Sequence, residues 1–90
     1  MSVAKFPLGR LVATPGALAR VSSREINTAL ARHLQGDWGE LDEDDRSAND
    51  RALLEGSRLL SAYHATNGIK FWIITEHDRS ISTVLLPEDY

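Results

Sequence analysis

The dipeptide Asn67-Gly68 separates two runs of strand-forming residues, 63–66 and 69–74, and this arrangement restricts the fold more than any other feature of the chain. Asn-Gly between such runs is the strongest short-range hairpin signal, because both residues accept the positive φ angles of a two-residue type I′ turn. A turn of this length predicts that Tyr63 pairs with Trp72. The C-terminal third of the chain is therefore expected to begin with a β-hairpin.

A second reversal at Asp78-Arg79 extends the hairpin into a three-stranded antiparallel meander, in which Ile74 pairs with Thr83 and Trp72 with Leu85. Successive side chains of a strand point to opposite faces of its sheet, so this register predicts two apolar faces. The first face carries Leu60, Ala62, Phe71, Ile73, Val84 and Leu86. The second face carries Leu59, Tyr63, Trp72, Ile74, Ile81 and Leu85.

The N-terminal half contains one strand signal and two main helix signals. Residues 8–13 form a short apolar run that ends at Thr14-Pro15-Gly16, a turn whose threonine is placed to cap a short helical turn. Ser22 and Glu25 stand at the spacing of a capping box, and Gly36 is typical of a helix end. A second helix is expected to begin with residues 42–45 and to end at Gly56. The predicted fold is α+β, with an N-terminal strand, two main helices packed on one face, and the C-terminal meander.

The chain has 90 residues and no cysteine, which predicts a single α+β domain over residues 1–90 without disulfides or thiolate metal sites. No apolar run approaches the roughly 20 residues of a membrane-spanning helix, so we expect a cytoplasmic protein without membrane contact. The three histidines lack metal-ligand spacing, and no phosphate-binding loop or nucleophile elbow is present. We therefore predict no catalytic residue, no metal and no cofactor.

Charge is unevenly distributed along the chain. Residues 1–36 hold five basic side chains against one acidic, whereas residues 37–50 hold seven acidic side chains against one basic. Carboxylates at the start of a helix complement its dipole, which explains Asp42, Glu43, Asp44 and Asp45 without further function. A second interpretation is that this acidic surface imitates nucleic-acid phosphate and binds a protein partner. Direct nucleic-acid binding is not expected of a chain with net charge −3.

The second apolar face of the predicted sheet requires a covering partner, because two modest helices cover only one face. Three alternatives could cover this face: the loop around Trp38, a second copy of the chain in a homodimer, or another protein. Trp and Tyr often carry the energy of interfaces. The residues predicted to bind a partner on this face are Tyr63, Trp72, Ile74 and Leu85.

Four segments of the sequence resemble a family of short bacterial proteins found on plasmids, prophages and other mobile elements. They are FPLGRLVATPGAL, RHLQGDWGELDEDDRSAND, EGSRLLSAYH and WIITEHDRSISTVLLPEDY. The resemblance implies a role in the contest between mobile elements and host defence. We therefore expect a non-enzymatic protein-interaction module that inhibits a host defence or nucleic-acid-processing complex. The alternative is a small ribonuclease-like toxin or other small enzyme.

Overall fold

Four β-strands and three α-helices make up the fold in a computed structural model that describes residues 4–90. The elements are, in chain order, β1 (Arg10–Ala13), α1 (Pro15–Arg20), α2 (Ser23–Leu34), α3 (Glu43–Glu55), β2 (Leu59–His64), β3 (Lys70–Thr75) and β4 (Ile81–Leu85). A single 3₁₀ turn, Pro87–Asp89, follows β4. The predicted α+β class, the N-terminal strand and the two main helices are confirmed.

The helices begin and end where the sequence places their capping residues. The side chains of Thr14, Ser22 and Asp42 accept hydrogen bonds from backbone N–H groups in the first turns of α1, α2 and α3. Each bond pairs one of the N–H groups that a helix start leaves without an intrahelical acceptor. Gly36 and Gly56 follow the last turns of α2 and α3 in the left-handed conformation, with φ of 78° and 76°. Local capping chemistry therefore fixes both main helices.

The sheet is mixed, with strand order β1-β4-β3-β2. The three C-terminal strands are antiparallel neighbours, but β1 pairs in parallel with β4, so a purely antiparallel three-stranded sheet is not what the chain forms. Gly9 makes this parallel docking possible. A Cβ atom at Gly9 would lie only 2.3 Å from the carbonyl oxygen of Arg79, and its φ is +66°.

The predicted register is correct for one hairpin and wrong for the other. The second is confirmed, because Ile74 lies opposite Thr83 and Trp72 opposite Leu85. The first is wrong by one residue, because Tyr63 lies opposite Phe71. Its loop contains the three residues 66–68 rather than two, with Ala65 and Ile69 hydrogen-bonded at its base. Three-residue loops commonly end in a left-handed glycine, and Gly68 has a φ of 86°.

This shift exchanges the faces predicted for β2, since a slip of one residue reverses every side chain of a strand. We call the face that packs against α1 and α2 the helix-covered face and its opposite the open face. The helix-covered face carries Leu59, Ser61, Tyr63, Phe71, Ile73, Thr75, Ser82 and Val84. The open face carries Leu60, Ala62, Trp72, Ile74, Thr83 and Leu85. The predicted faces of Leu59, Leu60, Ala62 and Tyr63 were therefore wrong.

The main core lies between α1, α2 and the helix-covered face. Phe71, Ile73 and Val84 pack there with Ile26 and Leu30 of α2, as the helix periodicity predicted. A smaller cluster of Phe6, Trp38, Ala52 and Leu59 joins α3 to the edge of β2. Within residues 4–90, no helix has the length and apolar character needed to cross a membrane.

Candidate functional site

The open face carries three neighbouring apolar residues outside the core beneath α1 and α2, of which only Trp72 is accessible. Its residues Trp72, Ile74 and Leu85 belong to neither of the two buried apolar clusters of the described chain. Trp72 and Leu85 are directly opposite on β3 and β4, and Ile74 is the next residue of β3 on the same face. Three of the four predicted interface residues on the sheet therefore lie side by side.

The C-terminal residues shape this surface. The Tyr90 ring meets Trp72 edge-on with centroids 5.9 Å apart, and the Tyr90 hydroxyl accepts a hydrogen bond from Arg58 at 3.0 Å. Ile74 and Leu85 line a shallow depression of about 150 Å³ beside Tyr90 and are only 4% and 5% exposed. Trp72 is half-buried and stays accessible. The open face thus offers one accessible aromatic ring beside a recessed apolar floor.

Tyr63 does not belong to this surface. It is 2% exposed on the helix-covered face, where its hydroxyl donates a hydrogen bond of 2.7 Å to the carbonyl oxygen of Asp37. The guanidinium of Arg32 lies over its ring at 4.8 Å from the centroid. Burial raises the pKa of Tyr63 to about 12. The predicted placement of Tyr63 beside Trp72 was wrong because the first hairpin has a longer loop than predicted.

The acidic stretch forms the beginning of α3. Asp42 caps the helix by accepting the backbone N–H of Asp45 at 2.8 Å. Glu43, Asp44 and Asp45 occupy its first turn and are exposed. Within the described residues, these three carboxylates form no salt bridge. Asp42 therefore has a structural role, while the other three carboxylates complement the helix dipole and keep their charges at the surface.

Leu60 connects the acidic turn with the open face. A shallow pocket of about 220 Å³ is lined by Leu41, Asp45, Ala48, Asn49 and Leu60. Leu60 is also directly opposite Ile74 on the open face. Asp45 of the acidic first turn consequently lies beside Leu60, at the border of the open face. The sequence predicts the two sets of residues separately. It does not predict that they are neighbours, because tertiary contacts determine where α3 lies.

A second depression, which sequence analysis missed, lies between α2 and the end of β2. This cleft of about 420 Å³ is lined by Arg24, Arg32, His64 and Thr66 among other residues. His64 Nδ1 is paired with the carboxylate of Glu40. The i, i+8 spacing of the two arginines on α2 is visible in the sequence, but their approach to His64 depends on the fold. His77 stands apart from this cleft, exposed in the turn between β3 and β4.

Neighbouring carboxylates limit the positive charge of the cleft. Asp37 holds Arg32 through two hydrogen bonds of 2.7 and 3.1 Å, and these lower the pKa of Asp37. Glu25 accepts both the backbone N–H and the hydroxyl of Thr66, and the hydroxyl bond is the main cause of a lowered Glu25 pKa. The cleft therefore combines cations with ionised carboxylates.

The third histidine, His33, is sealed inside the core. It is 0% exposed, and its ring contacts Ser61 Oγ through Nδ1 at 2.5 Å and Thr75 Oγ1 through Nε2 at 2.9 Å. Thr75 in turn contacts Ser82 Oγ at 2.7 Å, and Ser82 donates to the carbonyl oxygen of Leu8 at 2.8 Å. A substrate has no access to this histidine.

The final carbonyl acceptor fixes the direction of the hydrogen bonds that link it to His33 Nε2. Because Ser82 gives its proton to Leu8, the hydroxyl of Thr75 must donate to Ser82. Thr75 then accepts from His33 Nε2–H. The bonds from Leu8 back to His33 thus place a proton on Nε2, and Nδ1 accepts from Ser61 because the buried ring is neutral. Burial is the main cause that lowers its pKa to about 4, and the charge of Arg79 acts in the same direction.

Within residues 4–90, no group of three or more histidine, aspartate and glutamate side chains is arranged to hold a metal ion. Comparisons with protein families, with curated proteins and with solved structures give no match to this chain.

Proposed function

We propose that this protein is a non-enzymatic interaction module that binds a partner protein through the open face of its sheet. The observation that supports the proposal is the accessible ring of Trp72 beside the recessed Ile74 and Leu85, on a face bordered by Asp45 in the first turn of α3. Interfaces typically combine an apolar centre containing aromatic anchors with a polar, charged rim. The open face has both components.

The charge of the rim indicates the chemistry of the partner. Glu43, Asp44 and Asp45 favour a partner with basic residues next to an apolar patch, since complementary charges accelerate encounter and fix the orientation of docking. Proteins that process nucleic acid carry such basic surfaces. A host defence or nucleic-acid-processing complex is therefore the target class that we propose, in keeping with the resemblance to proteins of mobile elements.

A small ribonuclease-like enzyme is the second candidate, and the cleft beside α2 is the observation that favours it. A histidine held by a carboxylate is a common general acid or base, and arginines bind phosphate. His64 with Glu40 and the two arginines supply these groups. The carboxylates of Glu25 and Asp37 oppose phosphate binding at the same place, so we rank this candidate second.

Capture from host lysate with matched variants tests the first proposal. Trp72→Glu places an unpaired charge in the centre of the proposed interface and should abolish retention of the partner, with the circular dichroism spectrum unchanged. Leu54→Glu is the matched control, because Leu54 is 89% exposed on α3 and lies outside the proposed surface. Equal retention by the two variants would exclude the open face as the binding site.

Salt dependence tests the acidic rim separately. Asp44→Asn with Asp45→Asn should weaken partner binding and reduce its dependence on salt, because screened charges then contribute less to encounter. Binding that is equally strong at low and high salt would exclude the interpretation that the acidic rim imitates nucleic-acid phosphate.

Incubation with RNA tests the second candidate. Cleavage that is lost in His64→Ala would replace the first proposal with the enzymatic one.

A further inference from the structure

The two edges of the sheet differ in how their backbone groups are paired. At the β2 edge, the side-chain amide of Asn49 donates to the carbonyl oxygen of Leu60 at 2.6 Å and accepts its N–H at 3.1 Å. The N–H of Ala62 donates to the carbonyl oxygen of Trp38 at 3.1 Å, and its carbonyl accepts the N–H of Glu40 at 2.8 Å. The outward groups of Leu60 and Ala62 are thus paired by dedicated contacts.

The opposite edge, β1, lacks such contacts. The N–H of Arg10 donates to the carbonyl oxygen of Ser80, just before β4, and the N–H of Thr14 donates to that of Val84 in β4, both at 2.9 Å. Alternate residues of an edge strand direct their backbone groups to opposite sides, so those of Leu11 and Ala13 point away from the sheet. No residue in the described range 4–90 forms a backbone hydrogen bond with these outward groups. An unpaired edge is a template for another strand, and natural proteins usually block it.

An apolar groove runs beside this unpaired edge, between β1 and the first two helices. Its volume is about 350 Å³, and its apolar lining comes from Leu11, Val12, Ala13, Leu18, Ile26 and Val84. Leu11 and Leu18 are 48% and 63% exposed, so the groove presents apolar side chains to solvent. In strand addition, backbone hydrogen bonds provide affinity, and pockets for alternate side chains provide specificity. Both features are present at β1.

We propose that β1 pairs with β1 of a second copy, antiparallel and around a two-fold axis at Leu11. The outward N–H and C=O of Leu11 then bond reciprocally with those of Leu11 in the other copy. Directly opposed side chains share a face, so each Leu11 enters the groove of the other copy beside Leu18. Arg10 lies opposite Val12 of the second copy, which avoids placing like charges directly opposite each other.

The second copy fits this edge better than an unrelated peptide because β1 is self-complementary in its apolar residue and in its charge. Leu11 at the centre is apolar and lies opposite Leu11 of the other copy, and the single charge, on Arg10, is offset from the axis. The axis is perpendicular to the sheet, so the dimer joins two four-stranded sheets into eight strands, with both open faces on the same side. The inference is independent of the proposed function, since it requires no other protein.

The strand has only four residues, so the interface should fall below the roughly 1,200 Å² of standard stable complexes. We therefore expect a weak dimer with a dissociation constant between about 10 μM and about 1 mM. Sedimentation equilibrium over this concentration range should show a monomer converting to a dimer. A chain that remains monomeric at about 1 mM would overturn the proposal.

Amide hydrogen exchange of the unaltered protein identifies the paired edge directly. The Leu11 amide should exchange rapidly at low protein concentration and at least about tenfold more slowly when the dimer predominates, because its N–H then donates to the second copy. The Arg10 amide, which donates to Ser80, is the internal control and should be protected at both concentrations. Unchanged Leu11 exchange in a dimeric sample would overturn the proposal.

Two substitutions test whether the β1 edge, and not another surface, forms the dimer. Leu11→Lys should eliminate dimerisation for two reasons. The two lysines would lie opposite each other at the axis and repel, and each would place its charge in an apolar groove. Leu54→Lys adds the same charge on α3 and should leave dimerisation unchanged. Dimerisation that survives Leu11→Lys but is lost in Trp72→Glu would assign the contact to the open face and refute pairing through β1.

Discussion

The buried histidine should make the stability of the fold sensitive to mild acid. His33 is neutral in the folded protein, and both ring nitrogens are occupied by Ser61 and Thr75. A proton added to Nδ1 would place a full positive charge in a site that burial removes from water and that lies near the charge of Arg79. The fold therefore resists protonation of His33, whereas the unfolded chain accepts the proton readily.

The sign and size of the effect follow from the two pKa values of His33. Folding lowers this pKa from 6.5 to about 4. Between these pH values the unfolded chain binds more protons than the folded one, so the free energy of unfolding rises with pH across this window. Each pKa unit corresponds to about 1.4 kcal/mol, which gives a loss of about 3 kcal/mol from His33 as the pH falls from 7 to 4.

Urea denaturation between pH 4 and 7.5, followed by tryptophan fluorescence, measures this loss. His33→Gln provides the non-titrating reference, because its amide has both a donor and an acceptor for the two hydroxyls. The pH dependence of this variant should be weaker than that of the parent by about 3 kcal/mol across the window. Parallel curves for the two proteins would refute the argument that His33 is buried in its neutral form.

Two further pairs of substitutions test the sheet. Phe71→Ala should cost about 3–5 kcal/mol and Trp72→Ala less than about 2 kcal/mol in urea denaturation, because only Phe71 is fully buried; equal losses would contradict the assignment of faces. Asn49→Ala should cost about 2 kcal/mol by leaving Leu60 unpaired. The exposed helical residue Asn27 supplies the control Asn27→Ala, whose effect should stay within about 0.5 kcal/mol.

Local signals in the sequence were sufficient to predict the helices. The caps at Ser22 and Asp42 and the glycines that end α2 and α3 act within one helical turn, so they are readable without the rest of the fold. The second hairpin was predictable for a related reason, since its register follows from a short turn between two clear strands. The parallel pairing of β1 with β4 joins residues about 70 positions apart and leaves no local signal.

The candidate site was predictable only in part. Trp72, Ile74 and Leu85 were placed together correctly because β3 and β4 have the expected register. The buried network could not be predicted, since Ser61 and Thr75 are ordinary strand residues until His33 is brought between them by α2. The acidic border of the open face likewise depends on how α3 packs at the edge of β2.

The length of the first hairpin loop shows why a strong local signal failed. Asn67-Gly68 favours a two-residue turn, but the loop side chains are bound by the helices instead. Thr66 donates to the carboxylate of Glu25 on α2, and Asn67 donates to the carbonyl oxygen of Arg20 at the end of α1, at 2.9 Å. These tertiary bonds stabilise a loop that includes Thr66, with Gly68 in the left-handed position.

The longer loop also decides what each face of the sheet can do. It turns Ser61 inward, where its hydroxyl gives His33 the donor that the buried ring requires. It turns Tyr63 inward as well, where its hydroxyl finds the carbonyl of Asp37. The small Ala62 is left opposite Trp72 on the open face, so the tryptophan ring has no large neighbour on β2 and remains accessible. The contacts between the hairpin loop and the helices therefore leave accessible the half-buried aromatic residue on which the proposed function depends.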